Sequence, residues 1–238
     1  MAPLIGFMPS GAIYRFAQLV APTSPTRAKQ LEEFAYWRER VIQEGVLKNS
    51  WYERAFTSSF GIDSDFYRGV RMLDIGCGPR GSLEWANEAA ERIGLDPLAR
   101  AYRLLGTTRH QMKYVAGSSE DIRFPDGHFD VVSSFNSLDH VDDLGRSVHE
   151  ISRVLKAGGT FLLATDVNHA PTRAEPQAYS WDVVNRFQRF TVKDLRRYEK
   201  HPNGIYASLE AATSYDDENG VPRYGVLLAR LTRDHDLA

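Results

Sequence analysis

From Val70 onward, apolar runs of strand length alternate with segments whose apolar positions recur at helical spacing. VRMLDI, RIGLD, KYVAG, FDVVSSF and GTFLLATD read as strands, the last as a buried one after the Gly158-Gly159 turn. Helices are predicted through SLEWANEAAE, PLARAYRLL and GRSVHEISRVL, the last with Val148, Ile151, Val154 and Leu155 on one side. Strands alternating with helices imply an α/β fold, a mostly parallel sheet wound on both faces. Upstream, Ser24 and Pro25 read as a helix start, and Leu31, Phe34, Trp37 or Arg38, and Val41 keep helical spacing to Gly45, which predicts a helix over 26–44. A second aromatic segment, SWYERAFTSSFG, leads to Gly61. Near the end, GIYASLEAAT and RYGVLLARLT read as strands of a C-terminal antiparallel hairpin, and TVKDLRRYEK as a helix capped by Thr191. The organisation predicted is an N-terminal helical cap or lid over 1–65 and a sheet domain over 66–238.

Composition narrows the partners. The 238 residues are 42% hydrophobic and 25% charged, ordinary for a soluble globular chain able to bury a sizeable core. A formal net charge of -2 gives no global reason to bind nucleic acid or an anionic membrane. Cys77 is the single cysteine, so neither an internal disulfide nor a cysteine-based zinc site is available. This fits a reducing compartment, and a cytoplasmic location is expected. The first twenty residues are fairly apolar, but they lack a basic start and are interrupted by Pro9, Ser10, Gly11 and Arg15. They make a poor signal peptide and a broken membrane span, and are expected to pack on their own domain, with a lid or a membrane-touching helix as the sharper alternative.

LDIGCGPRGSLEWA, residues 73–86, places Gly76, Gly78 and Gly81 as G-x-G-x-x-G, with Asp96 twenty positions after Gly76. That is the spacing of a nicotinamide-dinucleotide fingerprint, whose helix N-terminus meets a pyrophosphate. Asp74, two positions before Gly76, would face that anion and suits a cationic cofactor better. S-adenosylmethionine has no phosphate and carries an amino group and a sulfonium. Over residues 68–167 the sequence resembles the class I S-adenosylmethionine-dependent methyltransferases, through Asp74-x-Gly76-x-Gly78, Asp96, GSSEDIRFPDGHFDVV, SLDHVDD and RVLKAGGTFLLAT in that order. The resemblance implies a Rossmann-like methyltransferase sheet with S-adenosyl-L-methionine as donor. It implies Asp74, Gly76, Gly78, Asp96, Ser119, Glu120 and Asn136 as cofactor contacts, Asp96 on the ribose hydroxyls and Ser119 and Glu120 bordering the adenine. Arg80 stands where the family's commonest motif has its third glycine, and Ser118 where many members carry an aspartate. No Tyr-x-x-x-Lys pair supports a dehydrogenase; a binding module that keeps the fold without catalysis is the other alternative.

Methyl transfer is an in-line displacement, so the protein has to align a nucleophile and, for an alcohol, help remove its proton. SFNSLDHVDD follows strand four and sets Asn136, Asp139 and His140 at the catalytic rim. The stretch resembles the Glu-x-x-Glu-His metal motif of ubiquinone-pathway O-methyltransferases, with Asn136 and Asp139 in place of the glutamates. The resemblance implies Asp139 and His140 as catalytic residues and as ligands of a Mg2+ ion, His140 serving as base or ligand; the plain alternative is that His140 closes a turn. Asp142 and Asp143 read as helix-capping carboxylates. Asp166, Asn168 and His169 form a second rim set, and Cys77 reads as a small residue between two glycines. Tyr36, Trp37, Trp51, Tyr52, Phe56 and Phe60 are core or a roof over the cofactor. Arg186, Arg189, Lys193, Arg196, Arg197 and Lys200 are expected on a solvated helix face. The function expected is O-methylation of a small molecule, a sugar or saccharide favoured and an apolar quinone or fatty acid the alternative, with no nucleic-acid partner and no stable membrane association.

Overall fold

The computed structural model describes residues 8–217 and 220–235. The first seven residues, on which part of the lid expectation falls, lie outside them. Helix α1 (Ser10–Val20) and the long α2 (Pro25–Glu44) come first, followed by the short α3 (Tyr52–Phe56). Helix α2 begins as its sequence predicts, with Ser24 before it and Pro25 in its first turn, where a missing N–H costs no hydrogen bond.

Strands β1 (Arg71–Ile75), β2 (Glu91–Asp96), β3 (Lys113–Ala116), β4 (Phe129–Phe135) and β5 (Leu155–Val167) pair in parallel. Strands β6 (Phe190–Glu199) and β7 (Gly225–Arg233) complete a seven-stranded sheet in the order β3-β2-β1-β4-β5-β7-β6, with β7 antiparallel to both β5 and β6. Chain order reverses beside β1, whose neighbours are β2 and β4, and a crevice opens at such a switch point beyond the carboxyl ends of the strands. Helix α4 (Ala99–Tyr102) and a 3-10 turn follow β2, α5 (Leu144–Val154) joins β4 to β5, and α6 (Ile205–Ala211) lies between β6 and β7. Asp143 caps α5 by accepting from Arg146 N at 3.0 Å, the capping role expected of it.

Three local expectations are corrected. No helix forms through SLEWANEAAE; the segment is a series of turns. Its polar groups are taken by distant partners: the Glu84 carboxylate accepts from Gln111 N and Met112 N, the Leu83 and Glu84 carbonyls accept from Arg92, and Trp85 packs edge-on against Tyr67. TVKDLRRYEK is strand β6, so Thr191 caps nothing and the basic set does not share a helix face. Pairing with β7 overrides local helix propensity, and charges along an edge strand discourage further pairing. GIYASLEAAT is helix α6, burying Ile205, Ser208 and Leu209 at positions three and four apart. The outer antiparallel partner of β7 is therefore β6 and not the expected GIYASLEAAT.

One apolar cluster fills the sheet face toward α5, including Leu73, Phe129, Ile151 and Phe161. A second fills the other face beneath α3 and α6. A third joins α1 and α2 through Ile13, Ala17, Leu31 and Phe34 to Leu98 and Tyr102, which seats both helices beside the end of β2. No helix among the described residues is long and apolar enough to cross a membrane.

Candidate functional site

The turn after β1 needs glycine at two places. Gly76 has φ +67°, and a Cβ there would lie 2.2 Å from Ser137 Cβ, so β1 and the turn after β4 meet without a side chain between them. Gly78 has φ +57°, and its absent Cβ leaves room for the Trp37 indole of α2, 3.0 Å from that position. Gly78 N donates to Asp96 Oδ2 at 3.1 Å, and Leu98 N to Asp96 Oδ1 at 2.8 Å. Burial raises the Asp96 carboxyl above the ordinary carboxylate range, and the nearby Glu33 carboxylate of α2 pushes it the same way. Asp74 accepts from Ser82 Oγ at 2.5 Å and from Ser133 Oγ at 2.8 Å; burial pushes it up to about 6 against those two hydroxyls. Two buried carboxylates thus flank the glycine turn.

Arg80, which breaks the expected glycine pattern, is buried at 5% exposure. It donates to both oxygens of Glu44 at the end of α2 and to Lys48 O, and its guanidinium lies 5.4 Å from the Trp37 ring centroid and 5.2 Å from that of Trp51. Helix α2 also reaches the rim elsewhere: Lys29 donates to the His140 carbonyl and Glu32 pairs with Arg173. Of the aromatic set, Trp37 and Trp51 lie over the turn, Tyr52, Phe56 and Phe60 are core, and Tyr36 is exposed.

Past β4, Leu138–His140 forms a 3-10 turn. Asn136 adopts φ +49°, and its side-chain oxygen is buried without a hydrogen-bond partner. Asp139 is wholly buried, with Oδ1 3.9 Å from His140 Nε2, and His140 Nε2 is equally 3.9 Å from Glu175 Oε1. Burial raises the Asp139 carboxyl; His140 opposes that, and Glu175 and Asp166 add to it. Asp166, at the end of β5, accepts from Lys200 and from Tyr224 at 2.8 Å. The Asn168 side chain instead donates to Arg223 O, and His169 packs on the Tyr224 ring.

The sequence-predicted residues fall into two groups. Asp74, Gly76, Gly78 and Asp96 gather at the first turn, and Asp139 and His140 stand together on the neighbouring rim. Ser119 and Glu120 are tied to the start of α5: the Ser119 hydroxyl meets that of Ser147 on α5 at 2.9 Å, and Glu120 accepts from Asp143 N and Ser118 Oγ. Cys77 is buried, its sulfur filling the place of a side chain at Gly94, and burial pushes its thiol up. Sequence reasoning missed Lys29, Glu33, Glu44 and Glu175. Arg80 was the one available signal for Glu44, since a buried guanidinium in a glycine turn needs a carboxylate.

A methyltransferase domain family matches residues 73–163, the span from β1 into β5 that builds both parts of the site. An uncharacterized methyltransferase from Mycobacterium sp. (strain JLS) is 28% identical over 171 residues, covering 70% of this chain and 66% of that protein. The ubiquinone/menaquinone biosynthesis C-methyltransferase UbiE of Shewanella oneidensis is 31% identical over 90 residues, 37% of this chain and 36% of that one. The match thus spans under two thirds of either relative's length. A crystal structure of an S-adenosylmethionine dependent methyltransferase from Mesorhizobium loti superposes with a TM-score of 0.52 at 20% identity, over 70% of this chain and 92% of that one, which is a likeness of fold. The motif order and the domain match over residues 73–163 support a methyltransferase domain of the class I S-adenosylmethionine-dependent type, and the fold agrees with it.

Proposed function

We propose that the protein transfers the methyl group of S-adenosylmethionine to a hydroxyl of a small polar acceptor, a sugar or saccharide fitting best. The observation that carries this reading is the pairing of buried Asp139 with half-buried His140, 3.9 Å apart, on a rim that also holds Glu175, Asp166, Lys200 and Tyr224. When bound, the donor supplies a methyl carbon already activated by a sulfonium. Asp74 and Asp96 offer carboxylates to its cationic and hydroxyl groups, and the Gly76–Gly78 backbone allows close approach. His140 takes the acceptor hydroxyl's proton as the O–CH3 bond forms, and Asp139 stabilises the resulting imidazolium. Ser119 and Glu120 stand beside the adenine, with Asn136 at the methyl end. In the alternative role, Asp139 and His140 would instead hold a magnesium ion, and His140 would then act as ligand and not as base. Helices α1 to α3 cap the donor turn, and Trp37 has to yield for the donor to enter.

A second reading, an apolar quinone-like acceptor, is favoured by the similarity to UbiE, whose name assigns that protein to ubiquinone/menaquinone biosynthesis. The aromatic faces of Trp37 and Trp51 would suit such a ring.

Thermal unfolding with S-adenosylhomocysteine and, in parallel, with oxidised nicotinamide dinucleotides tests the donor. A ligand at about a hundred times its Kd adds roughly 2.7 kcal/mol. Stabilisation by the homocysteine compound alone is expected; stabilisation by a dinucleotide alone overturns the reading. With sugars and quinones as acceptors, His140→Ala should abolish turnover while donor binding stays intact. Donor binding without transfer to any acceptor would instead mark a binding module.

A further inference from the structure

We propose that Asp139, His140 and Glu175 form a site for a divalent cation of the manganese or magnesium class, with the third ligand delivered by the loop after β5. Its catalytic meaning rests on the hydroxyl-acceptor reading above; cation binding itself is independent of it.

Asp139 points to a ligand. Its side chain is 0% exposed, and neither carboxylate oxygen has a hydrogen-bond partner among the described residues. A buried carboxylate in that condition is costly unless a cation or a proton joins it. Two further carboxylates, Glu175 and Asp166, act on Asp139 against the single imidazole of His140. Lys29 donates to the His140 carbonyl and acts on Asp139, but its single charge is shared with Asp142, Glu33 and Glu120, and Lys200 is taken by Asp166.

The spacing suits one ion. His140 Nε2 is 3.9 Å from Asp139 Oδ1 and 3.9 Å from Glu175 Oε1, and one ligand atom from each residue lies within 4.8 Å of the others. Two ligands of a common ion lie at most two bond lengths apart, about 4.2 Å for magnesium and up to about 5 Å for larger cations. Both 3.9 Å separations are within that limit. His140 and Glu175 keep 30% and 29% of their side-chain surface exposed, so the side away from Asp139 is open to water and to an acceptor oxygen. Two carboxylates with one imidazole suit manganese or magnesium better than calcium, which prefers an all-oxygen shell.

The loop that brings Glu175 is built onto the Asp139 turn. Gln177 N donates to Asp139 O at 3.2 Å, and Gln177 Nε2 donates to Val141 O at 3.2 Å. Glu175 itself closes a small turn, its N donating to Thr172 Oγ1 at 3.0 Å and its carbonyl accepting from Thr172 N at 2.9 Å. Glu175 is thus held against His140 by hydrogen bonds that leave its carboxylate free of them. A cation held there would lower the acceptor hydroxyl's pKa, so that its proton would pass to water on the open side of the site as the O–CH3 bond forms and the methyl–sulfur bond breaks, with His140 serving as ligand in place of base.

The test is a titration of the full chain with Mn2+, followed by the loss of the free-ion electron paramagnetic resonance signal, with Mg2+ as competitor. The wild type should bind a single Mn2+. Glu175→Gln and Asp139→Asn should each weaken it by about tenfold or more, while Asp142→Asn, a nearby exposed carboxylate, should leave it unchanged. Absence of binding in the wild type, or equal binding in Glu175→Gln, overturns the site. S-adenosylhomocysteine stabilisation of the same samples keeps the two readings apart. Its persistence in Glu175→Gln shows an intact fold and ties any loss of Mn2+ to the missing ligand, whereas its absence from a wild type that binds Mn2+ removes the methyltransferase reading and leaves the cation site standing.

Discussion

Arg80 and Glu44 meet in a two-pronged ion pair, guanidinium nitrogens 2.7 and 2.8 Å from the two carboxylate oxygens, and this pair joins the glycine turn after β1 to the last turn of α2. Arg80 is also held between the Trp37 and Trp51 rings, so charge pairing and cation–π contact act on one guanidinium. Arg80→Ala leaves Glu44 unpaired and opens space between the two indoles. The expected loss is about 3 kcal/mol, read by urea unfolding. Cleavage by a protease should concentrate before residue 65, and an unchanged midpoint would deny the pair its structural role.

The same contact has an acid signature. The hydrogen bond from Arg80 pulls the Glu44 carboxyl down to about 2, from an ordinary 4.5. A carboxyl lowered by folding stabilises fully above its unfolded value and loses that contribution as pH falls toward the folded one. The stability gap between wild type and Glu44→Gln should therefore be constant above pH 4.5 and narrow on acidification toward pH 2. Stability curves that run parallel through that window would contradict the assignment.

Asp74 behaves in the opposite sense. Burial raises it to about 6 from 3.8, so the folded chain keeps a proton that the unfolded chain has lost. Its contribution to stability falls as pH rises between those values and is level above them. A cationic amino group prefers the ionised carboxylate, so S-adenosylhomocysteine affinity should rise with pH through about 6 in the wild type and be flatter in Asp74→Asn. Calorimetry at several pH values checks this, and identical profiles would take Asp74 out of donor binding.

Gly76 and Gly78 should differ in tolerance although both have positive φ. Alanine at Gly78 meets a movable indole edge at 3.0 Å, whereas alanine at Gly76 meets Ser137 Cβ at 2.2 Å on the next strand's turn. Both changes carry a left-handed backbone cost of about 1–2 kcal/mol, and Gly76→Ala should lose clearly more. Ser137→Gly in the Gly76→Ala background should recover part of the loss in thermal unfolding. No recovery would mean that backbone conformation alone decides the effect.

Trp37 lies over Gly78, so a donor bound against that glycine, as proposed, has to displace the indole. Trp37→Ala should raise the association rate of S-adenosylhomocysteine in stopped-flow measurements, and tryptophan fluorescence should respond to binding in the wild type but much less in the variant. A rate and a fluorescence change indifferent to the substitution would place the donor elsewhere.

What the sequence by itself determined lies where neighbours in the chain decide the outcome. Alternating apolar runs specified the five parallel strands, Ser24-Pro25 and Asp143 marked two helix starts, and the Asp74-Gly76-Gly78 turn with Asp96 pointed to the methyltransferase domain that residues 73–163 match, all visible without a partner segment. His140 and Asp139 could be placed on the rim because they follow a legible strand. Tertiary structure alone decided that TVKDLRRYEK is an edge strand, since β7 supplies its hydrogen bonds, and that the segment after the glycine turn is not helical, since its polar groups find distant partners. It alone brought Glu44 to Arg80, Trp37 to Gly78 and Glu175 to His140. Each of those meetings joins residues far apart in the chain, and no local periodicity encodes a contact that forms only when the cap and the rim loops close on a finished sheet.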